Sequence, residues 1–365
     1  MERRSFLRGL GGLSLGLLAG GCQGITPTGL TIHGLKGSLP AQLLRRFRQA
    51  SGQNLSYQVH LTPADLFALL ADDLGDNSLV SLGQAWLDGA IAPGKIQPMA
   101  KSALPSLEDL DPRWQSLIET PPLPTDTVWG IPYRWGATVM VYRRDRFAEL
   151  GWTPTDWSDL WRSDLQGKFS LLNDPREVIG LTLKHLGHSY NSDRPQDIPP
   201  LLANLQSLRQ GCKLFSSDAY LQPLVLGDTW LAVGWSSDVL PLLKRDDTLG
   251  AVMPKSGTAL WTDIWVQPQS GENQPLDLDQ QAWLNFWLEP EVARLLSQFS
   301  DGVSPLILSS EDIELPSPAE TLLLTDGPAL AASEFILPQA PEVAAQYQKI
   351  WTETILRWDG TADST

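Results

Sequence analysis

The sequence predicts an α/β protein built as two lobes, and three observations carry that prediction. From Leu30 to Ser81, apolar runs of strand length alternate with segments of helical periodicity in the order β-α-β-α-β. A long β-rich stretch at Thr127–Tyr142 interrupts the series, and the α/β alternation then starts again. With 365 residues, the chain is longer than one hydrophobic core usually serves. Two α/β units joined by a crossing strand make a clamp.

Taken in order, Leu30-Thr31-Ile32-His33 reads as the first strand. Pro40 to Ser51 sets Leu43, Leu44 and Phe47 at helical spacing, with Gly52 beyond its end. A second strand runs over Leu55–His60. Thr62 is an N-cap followed by Pro63 at the first helical position, opening a helix with Leu66, Phe67, Leu69 and Leu70 inward. Ser78-Leu79-Val80-Ser81 is the third strand. Residues 98–126 are Pro-rich and weakly periodic, which predicts a long excursion over the surface. The second unit has helices near Asp156–Arg162, Pro175–Leu186, Pro199–Arg209 and from Asp238, with strands at Phe169–Leu172, Thr229–Val233 and Leu249–Met253. Gly34-Leu35-Lys36-Gly37-Ser38 lacks the spacing of a phosphate-binding glycine loop.

Residues 1–22 read as a processing segment. Arg3-Arg4-Ser5-Phe6-Leu7 gives a twin-arginine opening, an apolar Gly-rich run follows to Leu18, and Ala19-Gly20-Gly21-Cys22 closes it. The pattern is similar to bacterial lipoprotein signals of the twin-arginine type, with Ala19 where these most often carry Leu. The apolar run of roughly 15 residues falls short of the ~20 that span a bilayer. A monomeric mature chain is expected, exported to the periplasm or cell surface and held at the membrane by lipid on Cys22. An uncleaved anchor is the alternative. The one other cysteine, Cys212, then has no partner, which excludes a disulfide framework and a Cys-rich metal site. The net charge of −15 repels nucleic acid and favours the approach of cations.

The stretch Ala259-Leu260-Trp261-Thr262-Asp263-Ile264-Trp265-Val266 is a strand with unlike faces. Thr262, Ile264 and Val266 form a core face. Trp261, Asp263 and Trp265 form the other, where a carboxylate between two indoles suits an ammonium group. On pattern alone a Trp-rich strand whose Asp caps a turn fits as well.

Several separated motifs resemble, in order, the bacterial spermidine/putrescine-binding proteins, the ligand-capturing components of ABC importers. They are Gly130-Ile131-Pro132-Tyr133-Arg134-Trp135-Gly136-Ala137-Thr138, Trp157-Ser158-Asp159-Leu160-Trp161, Asn173-Asp174-Pro175-Arg176-Glu177-Val178, Val233-Gly234-Trp235-Ser236, Met253-Pro254-Lys255-Ser256-Gly257, Trp261-Thr262-Asp263 and Phe286-Trp287-Leu288-Glu289-Pro290. The resemblance implies a two-lobed periplasmic-binding-protein (type II, Venus-flytrap) fold. Its first lobe would be 30–137 with 262–313, its second 138–261 with 314–365, and the ligand would lie between them. It implies no enzyme activity and no cofactor or metal; the expected partners are a small cationic ligand and the importer's membrane subunits. Carried over by position, Asp174 and Glu177 match an acidic pair for an amine, Trp235 an indole along the ligand, and Trp261 with Asp263 the centre of the site.

Departures concentrate in the first lobe. Leu35 and Ser38 stand where the family has Trp and Tyr, Gly83 and Ala85 where it has Ser and Tyr, and Val303 and Ile336 replace a Tyr and a Gln. Trp265 and Trp86 are the candidates to replace the lost aromatic walls. Other readings remain open. Asp174 and Glu177 also fit a helix capping box, Arg134 fits a ligand carboxylate, and the carboxylates fit an acid–base pair. His185 and His188 fit a metal pair, and the eroded box fits a lipid-anchored sensor or assembly protein.

Overall fold

The computed structural model describes residues 29–307, 318–324 and 327–356. The expected export segment and Cys22 lie outside the described residues. Strands β1 (Leu30–Leu35), β2 (Leu55–His60) and β3 (Ser78–Gly83) form a parallel arm with β1 in the middle. The helices between them obey their sequence signals. Ala41–Ser51 ends at Gly52, whose φ of 67° is the left-handed conformation that glycine adopts freely. Pro63–Leu69 starts with a reciprocal box between Thr62 and Asp65.

The expected surface excursion at 98–126 is corrected. Short strands β4 (Ile96–Gln97), β5 (Met99–Ala100) and β6 (Thr127–Val128) flank a helix, Pro112–Ile118, that buries Trp114, Leu117 and Ile118. Trp114 packs 5.6 Å from Trp135 and 4.8 Å from Phe335, ring centre to ring centre. Pro112 misled the reading because proline in a first helical turn sacrifices no hydrogen bond.

Strand β7 (Ile131–Arg143) follows and runs through the centre of the molecule. Beyond it, β8 (Phe169–Leu171) pairs in parallel with both β9 (Cys212–Phe215) and β10 (Leu231–Trp235). Both β10 and β11 (Leu249–Val252) run antiparallel to β7. Strand β12 (Ala259–Pro268) lies antiparallel between β3 and β7, and β13 (Glu334–Phe335) joins its start in parallel. The order β2-β1-β3-β12-β7-β10-β8-β9 therefore sets two parallel arms on an antiparallel centre. The predicted helix near Asp156–Arg162 is instead a 3-10 turn, Trp157–Trp161, in which Asp156 and Asp159 cap each other's backbone.

Each arm has its own packing. Phe47 meets Trp283 and Phe286 edge-on beneath the first arm. Around the second arm Phe169, Ile179, Leu205, Tyr347 and Trp351 belong to one buried cluster. Residues of β7 and β12 contribute to both clusters, so the crossing strands are where the arms are joined.

Candidate functional site

Strand β7 acts as the ruler for the site. Arg134, Gly136 and Thr138 alternate onto one of its faces. The register then fixes their neighbours: Asp263 lies opposite Arg134, Trp261 opposite Gly136, and Trp235 opposite Thr138. At about 3.3 Å per residue the row from Arg134 to Thr138 is roughly 13 Å long.

At one end, Nε and Nη2 of Arg134 both donate to Oδ2 of Asp263, at 2.9 and 2.5 Å. The pair is largely shielded, with side-chain exposures of 5% and 13%. Burial works against the charge of Arg134, but the field of Asp263 and its hydrogen bonds more than offset this and hold the guanidinium pKa above its usual value. The Trp261 ring lies over the guanidinium, 5.3 Å from its centre. Asp263 therefore does hold a cation between charge and indole, as its strand pattern suggested. The cation belongs to the chain itself.

Gly136 opens the middle of the row. A Cβ there would come within 2.2 Å of Trp261 Cζ2 and 2.4 Å of Ser236 Oγ, so any side chain would lift the indole off the strand. Ser236 Oγ meanwhile accepts from the Ala137 amide at 3.2 Å.

The other end is built on Glu177, which is 4% exposed. Thr138 Oγ1 lies 3.0 and 2.9 Å from its two carboxylate oxygens, and Trp235 Nε1 donates to Oε1 at 2.9 Å. Burial, then the nearby charge of Asp174, push the Glu177 carboxyl up to about 7, against the pull of the two neutral donors. Asp174 is the N-cap of the helix Pro175–His185, its Oδ1 accepting from the amides of Arg176 and Glu177. Only half of the capping box is present, because Glu177 turns to Thr138 and Trp235 instead of reaching back. Trp235 is half-buried and meets Tyr220 edge-on at 6.2 Å.

Five predicted residues, Asp174, Glu177, Trp235, Trp261 and Asp263, thus gather along one side of the crossing strands. Of the two proposed replacement walls, Trp265 does not join them. Trp265 is corrected: it is fully buried and stacks on Tyr133 at 4.4 Å. Its strand face passes from the row into the core because Trp283 and Trp287 close over that part of β12, just beyond a bulge at Tyr133 where the register with β7 shifts. Trp86, partly exposed, lies beside Gly83, the backbone partner of Asp263, and its ring rests on Phe67 at 5.0 Å.

Tyr57 was missed. Its hydroxyl lies 3.4 Å from both Ser38 Oγ and the Leu35 carbonyl, at positions where the sequence reading saw only lost aromatics. Burial raises its pKa, and Arg134 and Asp263 are near enough to act on it, which places it by that end of the row. The signal was Gly34 in β1, where a Cβ would come within 2.5 Å of that hydroxyl. Val303 is buried and exchanges backbone hydrogen bonds with Trp135, while the Ile336 carbonyl accepts from the Gln84 amide.

The arrangement disfavours the other chemical readings. Asp174 is committed to its helix and Asp263 to Arg134, so neither is a free partner for acid–base work with Glu177. His185 stacks on Trp161 at 4.1 Å, a packing role, and no cluster of three or more His, Cys, Asp or Glu side chains suited to a metal occurs among the described residues. No helix among the described residues is long and apolar enough to cross a membrane.

Comparison with known proteins points one way. The family model for bacterial extracellular solute-binding proteins matches residues 64–331. The chain is 28% identical over 261 residues to the spermidine/putrescine-binding periplasmic protein of Escherichia coli (strain K12), covering 71% of this chain and 72% of the relative. It is 24% identical over 357 residues to a putrescine/cadaverine-binding protein of Pseudomonas aeruginosa, covering 93% and 97%. In fold it is similar to the spermidine/putrescine ABC transporter substrate-binding protein PotD of Streptococcus pneumoniae, with a TM-score of 0.75 at 21% identity, covering 90% of this chain and 98% of that one.

Proposed function

The chain belongs to the bacterial extracellular solute-binding proteins, and from this we propose that it captures a small amine-bearing solute for an ABC-type importer while tethered by lipid on Cys22. The lobes of the clamp are 30–137 with 262–313 and 138–261 with 314–365, hinged where β7 and β12 cross. The ligand lies along the row between them. Relatives that carry polyamine names support the amine, and one observation carries it: Glu177, a buried carboxylate held only by neutral donors from Thr138 and Trp235. Neutral donors fix the geometry of an acid without cancelling its charge, so an arriving ammonium finds an unspent partner with an indole beside it.

Binding closes the lobes only to the extent that the ligand prefers the closed arrangement, and the importer's membrane subunits then read that arrangement. Calorimetric titration of the mature protein with putrescine and spermidine, together with native mass spectrometry of protein from its own source, tests the reading. Heat with either amine, or a co-purifying amine, is expected. Silence in both experiments at millimolar ligand would overturn it.

A further inference from the structure

Building on that reading, we propose that the solute carries a carboxylate as well as an ammonium, and that Arg134 selects for it. The ammonium seat that the pattern Trp261-Thr262-Asp263 offers is already filled. The Arg134 guanidinium sits on Asp263 and under the Trp261 ring, the two contacts a ligand ammonium would use there. A second cation at that end would meet a neutral pair and a covered ring face.

The geometry leaves one donor of the guanidinium uncommitted. Both hydrogen bonds of the pair converge on a single oxygen, Oδ2, so Nη1 of Arg134 takes no part in them. The side-by-side fork in which a guanidinium exhausts itself on both carboxylate oxygens is not formed. Trp261 Nε1 is buried against β7 and has no hydrogen-bond partner. A carboxylate at the end of an aliphatic amine supplies an acceptor for Nη1, while its ammonium lies on Glu177 at the other end of the row. The chemical class is an ω-amino acid or a longer amino carboxylate, in place of a diamine.

The test is a matched pair of probes with the same methylene spacer: δ-aminovalerate, with one ammonium and one carboxylate, and putrescine, with two ammoniums. Wild-type protein is expected to bind δ-aminovalerate the more tightly. Arg134→Gln, which keeps an amide donor for Asp263 but removes the charge, is expected to lower the ratio of the two affinities by roughly ten- to a hundredfold, the worth of a charge-assisted hydrogen bond. Arg134→Lys keeps the charge and is expected to keep the order. Tighter binding of putrescine by the wild type, or an unchanged ratio in Arg134→Gln, overturns this inference and leaves the amine receptor standing. If Arg134→Gln does not fold, the wild-type ratio alone decides. A wild type that binds neither probe nor spermidine removes both readings together.

Discussion

The two ends of the row on β7 each hold a shielded acid, and they handle its charge by opposite means. Asp263 is matched by a full cation from a neighbouring strand, so its charge is spent. Glu177 is met by a hydroxyl and an indole N–H, so it keeps its charge available but titrates near neutrality. Counting acids in the sequence gives the same score to both ends. What a ligand meets is a nearly neutral pair at one and a switchable anion at the other.

The largest effect that would break this comparison is expected from Asp263→Ala. It leaves the Arg134 guanidinium buried without its counter-charge, which costs about 3–5 kcal/mol. Urea unfolding should show that loss, and the double variant Arg134→Met/Asp263→Ala should recover most of it, because a well-packed apolar pair is often no worse than a buried ion pair. A single variant as stable as wild type would show that Arg134 does not depend on Asp263.

Next in size is the pH response of Glu177. Its folded pKa of about 7 lies above the ordinary 4.5, so the folded state keeps a proton that the unfolded chain releases. The stability this contributes is complete below about pH 4.5 and is lost as pH rises towards 7, by an amount on the order of 3 kcal/mol. Subtracting the Glu177→Gln unfolding curve from that of the wild type should isolate the slope. Ligand affinity runs the other way: an ammonium needs the ionised carboxylate, so putrescine or δ-aminovalerate should bind more weakly as pH falls below 7, by up to about tenfold per pH unit. A flat affinity between pH 5 and pH 8 would remove Glu177 from the ligand contact.

Much of this was legible in the sequence, and the exceptions share a cause. Strand alternation correctly placed Trp261 with Asp263, and the helix signals at Thr62 and Asp174 found their caps. Both are local rules, satisfied within a few residues. What failed depended on partners far along the chain. Asp263 meets Arg134 across 129 residues, and Glu177 meets Thr138 across 39. Trp265 shares a strand face with Trp261, and the distant aromatics Tyr133, Trp283 and Trp287 enclose it in the core. Tyr57 reaches the site from β2, where no motif announces it; the pairing of β1 with β2 brings it beside Gly34.

A smaller effect sharpens the comparison from the first arm, where His33 Nδ1 lies 3.2 Å from His60 Nε2. Burial, then the proximity of His60, pull the His33 pKa down to about 4. A depressed histidine is neutral in the folded state, so its contribution is present above the ordinary 6.5 and is lost as pH falls towards 4. This slope opposes that of Glu177 over much of the same range and should flatten the wild-type profile. Replacing His33 with Asn should leave a profile that rises more steeply towards acid. An unchanged profile would mean that the histidine pair does not couple to folding.

The smallest effect concerns whether the Arg134 end is neutral by itself or is kept so from outside. Lys244 Nζ lies 2.8 Å from Asp301 Oδ1, and the charge of Asp301 is among those that act on Arg134. Both side chains are partly exposed, at 35% and 28%, so the pair itself contributes only about 0–1 kcal/mol to stability. Its consequence is electrostatic. Lys244→Ala releases a negative charge close to the guanidinium, making that end of the row slightly anionic and eroding its preference for a carboxylate. The δ-aminovalerate to putrescine affinity ratio should fall by a factor of about two to five at low ionic strength, and the difference should vanish at high salt, where a partly exposed charge is screened. A ratio that stays fixed at both salt concentrations would mean that Arg134 and Asp263 set the charge of their end alone.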